Sequence, residues 1–287
     1  FSDIAGPVAA IIERIGERLN LRPKVALRVN LAVEGLQQWS RFGLNLESGQ
    51  AREAAVRIVS GGKMDLVGLH CHIGTFILEP SAYGTATTKI VQLANELRSS
   101  LGIKLSFLDM GGGFASRNTL AAQYLPGDQV TPSFERYAEA ICDALTGLDC
   151  PPQELPTLVL ESGRALVDEA GYLISSVAAT KRLPDGRRGL VLDAGVNLLF
   201  TAFWYKHDVV PAQDTPGSPE PTVMYGPLCM NIDVLRDTLH FPPLGIGERV
   251  VFRNVGAYNV TQWMQFITLR PAVVLIGTDG RVGTIRR

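Results

Sequence analysis

The chain has little of three features that would place it in a special class of protein. Its 27 lysines and arginines are balanced by 28 aspartates and glutamates, so neither a basic nucleic-acid surface nor an acidic tail is indicated. No apolar run approaches the roughly 20 residues that a membrane helix needs. The four cysteines lack the close spacing of a metal site or a disulfide framework. We therefore expect a soluble, cytoplasmic protein with scattered thiols.

Apolar sequence is abundant, at 46% of 287 residues, and in the first half it alternates between strand and helix patterns. A first helix opens at Ser2 and Asp3, and another has Thr131 as N-cap and Pro132 as first residue. Strands separated by helices imply a parallel sheet. Four such units are half of a (β/α)8 barrel, which needs about 250 residues. The predicted strands are 25–30, 66–72, 104–110 and 157–160, and the other predicted helices are 50–60, 86–100 and a short one from Arg164.

The second half has a different pattern, from about Gly171 onward. Short β-rich runs are separated by turn-rich stretches at 183–189 and 213–221, and no strong helix lies among them. The β-rich runs are 172–179, 189–193, 222–224, 249–254 and 272–276. We therefore predict an α/β plus all-β protein: residues 1–170 form the C-terminal half of a TIM-type barrel, and residues 171–287 form a β-barrel or sandwich domain.

Three of the predicted barrel strands end in groups suited to chemistry. The third ends in Gly111, Gly112 and Gly113, where the backbone can approach a phosphate because no Cβ intervenes. The second ends in HCHIGT (70–75) and the fourth in ESGR (161–164). Because functional groups of such a barrel lie at the carboxyl ends of its strands, we expect these segments to converge.

Each strand end also has an ordinary structural explanation. The glycines could form a flexible loop, and Glu161 with Arg164 could be an ion pair at a helix start. His70 and His72 share a face of a strand, so they could ligate one metal ion. However, no acidic residue ends the first strand, and a metal would leave the triple glycine unexplained. We therefore predict no metal site.

The second domain adds two short motifs, GPLC (226–229) and GAY (256–258). Cys229 follows a turn and is therefore expected to be accessible, although a free cysteine is most often a buried apolar residue. Tyr258 by itself would pass as an aromatic core residue.

Taken in order, HCHIGT, LDMGGGF, ESGR, GPLC and GAY resemble the motifs of pyridoxal-phosphate-dependent decarboxylases built on an alanine-racemase-like barrel. That family contains the diaminopimelate and ornithine decarboxylases. The resemblance extends from Val25 to about Ile276. It implies pyridoxal 5'-phosphate as cofactor, an amino acid as substrate, decarboxylation as the reaction, and a homodimer with an active site shared between subunits.

The resemblance also implies roles for single residues. His72 would stack on the pyridine ring, and Glu161 would keep the ring nitrogen protonated so that the ring accepts electrons as CO2 leaves. Cys229, from the partner subunit, would then protonate carbon. Asp193 would support the second domain near the site. The further cofactor contacts implied are Arg28, Thr75, Gly111, Gly112, Gly113, Arg164 and Tyr258, and the substrate contacts are Arg164, Tyr205, Met230 and Tyr258.

The family's Schiff-base lysine marks a first departure. In the family it lies on the first barrel strand, whereas no lysine of this chain ends a predicted barrel strand. The lysines present are Lys24, Lys63, Lys89, Lys104, Lys181 and Lys206. We therefore nominate no lysine and expect a missing N-terminal segment, in cis or in trans, to complete the barrel, because four open strands expose unpaired edges.

The substrate-facing positions are a second departure. Diaminopimelate decarboxylases place an arginine and a glutamate where this chain has Thr201 and Met230, which argues against diaminopimelate because a buried charge needs a charged partner. Lys206, His207, Asp208 and Asp233 are the local charged alternatives. Trp204, Tyr205, Trp263 and Met264 indicate a more apolar pocket.

Two alternatives to a decarboxylase stay open. The chain could be a non-catalytic homologue or one part of a split enzyme, which the presence of Cys229, Glu161 and His72 disfavours. It could also be an amino-acid racemase on the same scaffold, which the GPLC motif disfavours.

Overall fold

A computed structural model describes residues 5–286, which divide into two compact units. Among these residues, the first unit consists of 5–115 and 130–165, and the second of 116–129 and 166–286. The domain boundary predicted at residue 170 stays a prediction. The segment 116–129 belongs to the second unit, a placement that no feature of the sequence had indicated.

The helices and strands alternate in the first half, whereas strands predominate after residue 170. The helices are α1 (Ala5–Leu19), α2 (Gln50–Gly61), α3 (Pro80–Leu101), α4 (Gly127–Val130), α5 (Phe134–Leu145) and α6 (Gly163–Val167). The strands are β1 (Lys24–Asn30), β2 (Leu44–Asn45), β3 (Asp65–Cys71), β4 (Phe107–Asp109), β5 (Thr157–Val159), β6 (Tyr172–Arg182), β7 (Arg188–Leu192), β8 (Val209–Pro211), β9 (Glu220–Tyr225), β10 (Val234–Phe241), β11 (Arg249–Arg253), β12 (Val273–Ile276) and β13 (Val282–Arg286).

The first unit is built on a parallel sheet with the strand order β2-β1-β3-β4-β5. Helices α2, α3 and α5 lie in the connections between its strands, and side chains such as Leu69, Ile90, Leu97 and Leu108 are almost completely buried in its core. Parallel strands need such covered crossovers. The predicted partial (β/α)8 barrel is confirmed.

Two helices of the first unit begin away from their predicted positions. Helix α3 begins at Pro80, six residues before position 86, because proline at the first helical position starts a helix that apolar spacing alone does not reveal. Helix α5 begins at Phe134, with Ser133 as its N-cap, so the assignment of Thr131 and Pro132 was wrong. The start predicted at Ser2 and Asp3 lies outside the described residues.

The second unit contains a curled six-stranded sheet in the order β10-β9-β7-β6-β11-β8. Its strand pairs are antiparallel except for β7 with β9. Leu190, Leu192, Met224, Val250 and Phe252 form its core. Strand β10 was not predicted because its sequence, VLRDTLHF, has charged residues within the apolar pattern.

No helix within residues 5–286 is both long enough and apolar enough to cross a membrane.

Candidate functional site

The register of the parallel sheet places three polar side chains side by side near its carboxyl edge. Arg28 on β1 pairs with His70 on β3, and His70 pairs with Asp109 on β4. Glu161 follows β5 by two residues, and its Oε2 lies 3.7 Å from His70 Nε2. The His70 side chain is 3% exposed, whereas that of Glu161 is 45% exposed. The edge therefore has a row in which His70 and Asp109 are buried and Arg28 is half-buried, next to one carboxylate open to solvent.

Burial shifts the pKa values of two residues of this row, His70 and Asp109. It lowers the pKa of His70 to about 4, with Arg28 and His72 acting in the same direction and Glu161 opposing them. Burial also raises the pKa of Asp109, although the Gly111 N–H that its carboxylate accepts opposes the shift. At neutral pH, His70 is therefore uncharged.

The same row contains metal-ligand types, grouped differently from the pair considered from the sequence. One ligand atom each of His70, Asp109 and Glu161 lies within 4.8 Å of the others, while His72 is not in this group. Our expectation of no metal site stays a prediction.

The triple glycine is required by close packing of backbone against backbone. A Cβ on Gly111 would lie 2.5 Å from the carbonyl oxygen of Cys71, one on Gly112 2.3 Å from that of Glu161, and one on Gly113 2.2 Å from that of Gly74. Such distances are not tolerated. The glycines therefore allow the end of β4 to pack between the ends of β3 and β5, which brings the three predicted motifs together.

Hydrogen bonds fix the resulting arrangement. The N–H of Gly112 donates to Nδ1 of His72 at 3.0 Å, and the N–H of Glu161 donates to the carbonyl of Gly111 at 2.8 Å. Burial, followed by the charge of Arg28, lowers the pKa of His72. His72 is therefore a neutral imidazole that carries its proton on Nε2. The ring of Trp39, which sequence analysis missed, lies 5.3 Å from the His72 ring, centroid to centroid.

The remaining predicted residues of the first unit surround this cluster. Thr75 is exposed in the loop after β3, and the next residue, Phe76, is buried with a left-handed φ of 55°. The Arg164 guanidinium lies 6.0 Å from the Phe76 ring centroid. Arg28 lies 4.8 Å from the centroid of Phe42. A left-handed φ at a residue other than glycine is typical of functional loops.

Two cavities of the first unit differ in their relation to these residues. One of about 550 Å³ lies along β4 and β5, from Phe107 and Thr157 at their amino ends to Asp109 and Glu161 at their carboxyl ends. A larger one, of about 1140 Å³, lies against α1, α2 and β1, and Arg28 is its one lining residue among those predicted for the site. The smaller cavity is the candidate ligand site because two of the acidic groups beside His70, Asp109 and Glu161, line it.

In the second unit, Tyr258 lies on a turn held by a buried carboxylate. Tyr258 is 49% exposed and has a φ of 66°. The carboxylate of Asp168 is 1% exposed and accepts the N–H of Ala257 at 3.1 Å, the hydroxyl of Ser116 at 2.5 Å and the amide of Asn118 at 2.8 Å. Asp168 was not predicted, since only the folded chain brings it to this turn.

The predicted substrate-facing segment of the second unit is largely buried. Thr201 is 1% exposed, and its hydroxyl donates to Asn259 Oδ1 at 2.9 Å and contacts His207 Nε2 at 2.8 Å. Tyr205 is 3% exposed. Cys229, by contrast, is exposed, and Met230 is partly exposed. Asp193 accepts hydrogen bonds from β6, where it holds the start of the following turn.

Comparison with known proteins shows to which proteins this chain is similar. The family described as "Pyridoxal-dependent decarboxylase, pyridoxal binding domain" matches residues 9–168. Diaminopimelate decarboxylase of Helicobacter pylori is 27% identical over 96% of this chain and 66% of its own length, and that of Archaeoglobus fulgidus is 32% identical over 93% and 64%. The crystal structure of diaminopimelate decarboxylase from M. jannaschii superposes with a TM-score of 0.82 at 26% identity, over 97% of this chain and 64% of that one. The chain thus spans slightly less than two-thirds of the length of these relatives.

Proposed function

This chain belongs to the family of pyridoxal-dependent decarboxylases, and from that premise we propose that it acts in the decarboxylation of an amino acid. The observation that carries the proposal is the convergence of Glu161, His72 and the triple glycine at one edge of a parallel sheet. When bound, pyridoxal phosphate supplies an electron sink for the bond that breaks as CO2 leaves.

The residues present fit this cofactor. Glu161 offers a carboxylate that is 45% exposed, as a partner for a protonated ring nitrogen requires. His72 offers a neutral, half-buried imidazole whose orientation is fixed by the Gly112 N–H. Thr75 offers an exposed hydroxyl in the loop next to the glycines, and Arg164 a cation for a phosphate or a substrate carboxylate.

The two motifs of the second unit complete the proposed roles. Cys229 would donate its thiol proton to the carbon from which CO2 departs, so that the product is the amine. Tyr258 would contact the phosphate. Both are exposed, as these roles need.

The substrate proposed is an amino acid other than diaminopimelate. Thr201, at the position where the family's diaminopimelate enzymes have arginine, is buried and hydrogen bonded to Asn259, so it presents no charge to a substrate. His207 is fully buried and Asp208 is paired with Arg253 at 3.3 Å. The absence of a charge at Thr201 favours a substrate whose far end is less polar.

We further propose a cytoplasmic homodimer that shares its active site, with an N-terminal segment, in cis or in trans, that supplies the cofactor-binding lysine. The racemase and non-catalytic alternatives are not favoured, because the matched relatives are decarboxylases.

The proposal is tested by reconstituting the protein with pyridoxal phosphate, together with any upstream polypeptide encoded with it. CO2 release is then measured from diaminopimelate, lysine, arginine and leucine, so that charged and apolar far ends are both tested. We expect release from at least one amino acid other than diaminopimelate, accompanied by a cofactor absorbance band. Racemisation without CO2 release would contradict the proposal, and release from diaminopimelate alone would contradict the substrate assignment.

A further inference from the structure

We propose that Asp233 is a positioning residue for Cys229. The inference rests on the proposed function, because it gives Asp233 a part in the proton transfer assigned to Cys229. From the sequence, Asp233 was one of several charged residues considered for the substrate; the structure supports a different role.

The segment 226–233, which carries Cys229, forms a turn whose residues are hydrogen bonded to Asp233. The carboxylate accepts the N–H of Leu228 on its Oδ2 at 2.7 Å. The backbone carbonyl of Asp233 accepts the N–H of Gly226 at 2.9 Å, and its N–H donates to the carbonyl of Met230 at 3.0 Å. Residues on both sides of Cys229 are therefore bonded to Asp233.

The same carboxylate ties this segment to the turn after β7. Its Oδ1 accepts the N–H of Val196 at 2.7 Å. That turn is itself tied to β6, since the Asp193 carboxylate accepts the hydroxyl of Ser175 at 2.6 Å and the N–H of Ser176 at 2.8 Å. Hydrogen bonds at both ends of the short backbone segment 193–196 thus connect the sheet to the cysteine segment.

Two motif glycines make room for the carboxylate. A Cβ on Gly195 would lie 2.5 Å from Asp233 Oδ1, and one on Gly226 2.2 Å from Asp233 Oδ2. Gly195, in the turn after β7, and Gly226, in the GPLC motif, therefore both leave space for one buried carboxylate between two turns.

These contacts argue against direct substrate binding by Asp233. Its side chain is 2% exposed, and each of its oxygens already accepts a backbone N–H. Hydrogen bonds to a charged acceptor in a buried site are stronger than neutral ones, so they restrict the segment more tightly. A proton donor held in one place is what transfer to a specific carbon needs.

The first test is amide hydrogen exchange of the protein, which needs no substrate. Asp233→Asn replaces one acceptor oxygen by a donor, so exchange at Leu228 and Val196 should rise about tenfold or more. Asp237→Asn, an exposed acid on β10, is the matched control and should leave both amides unchanged. If Asp233→Asn does not fold, Gly195→Ala replaces it, because the three nearest atoms to its new Cβ all belong to Asp233. Unchanged exchange would overturn the proposal.

The second test is a double-mutant cycle in the cofactor-loaded protein, with the fastest of the four amino acids tested above. Asp233→Asn should lower kcat about tenfold with little change in KM. In a Cys229→Ala background, the same substitution should cause no further loss, because it acts through the thiol.

Equal losses in both backgrounds would show that Asp233 has a general structural role and would overturn the inference. If none of the four amino acids releases CO2, the proposed function fails, and amide exchange still decides whether Asp233 holds the cysteine segment.

Discussion

In the first unit, strand register places Arg28, His70 and Asp109 side by side, whereas in the second unit buried carboxylates hold the turns that carry Tyr258 and Cys229. The first arrangement follows from backbone pairing, which is regular and repeats along a parallel sheet. The second depends on single side chains that enter irregular turns. Motifs of equal length therefore differ in how well they tolerate substitutions nearby: those placed by strand pairing depend less on any single side chain than those on turns held by one carboxylate.

The largest effect is expected where one side chain holds a turn. Asp168→Ala removes the acceptor of the Ala257 N–H, the Ser116 hydroxyl and the Asn118 amide in a buried place. The free energy of unfolding should fall by about 4 kcal/mol, because several buried donors lose their partner. Urea denaturation measures it. Asp208→Ala, which breaks an exposed pair with Arg253, should change the free energy of unfolding little. Equal losses in the two variants would show that the buried Asp168 carboxylate contributes no more to stability than an exposed one.

Acid should weaken the first unit through its buried row. The pKa of His70 is about 4 in the folded chain against 6.5 ordinarily. Because the folded value is the lower one, the unfolded chain binds the proton more tightly, and stability is complete above pH 6.5 and lost as the pH falls towards 4. The shift corresponds to about 3 kcal/mol.

Unfolding free energies between pH 4 and 7 check this prediction. His70→Gln should flatten the pH dependence, whereas His240→Gln, at an exposed position, should retain it. A wild-type curve as flat as that of His70→Gln would show that His70 is not a buried neutral imidazole.

Glu161→Gln tests the function proposed for the carboxylate that follows β5. It keeps the size of the side chain and the backbone bond to Gly111 but removes the negative charge proposed to hold a proton on the cofactor ring. CO2 release by the cofactor-loaded protein should fall about 100-fold. Glu96→Gln, in an exposed pair with Arg52, should leave it unchanged. Equal activity of Glu161→Gln and the wild type would refute the role of Glu161.

The smallest of these effects concerns the glycine loop. Gly112→Ala places a Cβ 2.3 Å from the carbonyl oxygen of Glu161, so the strand ends must separate. The expected loss is about 2 kcal/mol of unfolding free energy. Gly163→Ala is the control, since its Cβ would meet no atom within 4 Å and should not destabilise the chain. If both variants unfold alike, close packing is not the reason for the triple glycine.

Elements that depend on a local pattern were predicted correctly from the sequence. The alternation of apolar runs predicted β1, β3 and β5 to within a residue or two at each end, and the partial barrel with them. The prediction failed at β10, where charged residues interrupt the pattern, and at the start of α5, where Ser133 rather than Thr131 occupies the N-cap position. Caps depend on a few atoms whose final contacts a short sequence does not specify.

The functional residues show the same difference between features that are local in sequence and contacts that form only in the folded chain. The glycines, His72 and Glu161 were recognisable as motifs, yet Asp109 and Trp39 were not predicted. In the second unit, Asp168 was not predicted, and Asp233 was considered only for the substrate and not as the anchor of a turn. Asp233 and Asp168 lie in sequence stretches that resemble ordinary loops. Their importance comes from burial and from N–H groups that approach them from other turns.

The sequence alone indicated the alternating strands and helices of the first unit and the β-rich second half, because apolar periodicity and turn residues act over a few neighbours. It also contained the motifs by which the family is identified. The folded chain was needed to show which side chains lie side by side, why three consecutive glycines are required, and which carboxylates are buried as anchors. Those properties depend on atoms brought together from distant parts of the chain, where distances of a few tenths of an ångström separate a hydrogen bond from a clash.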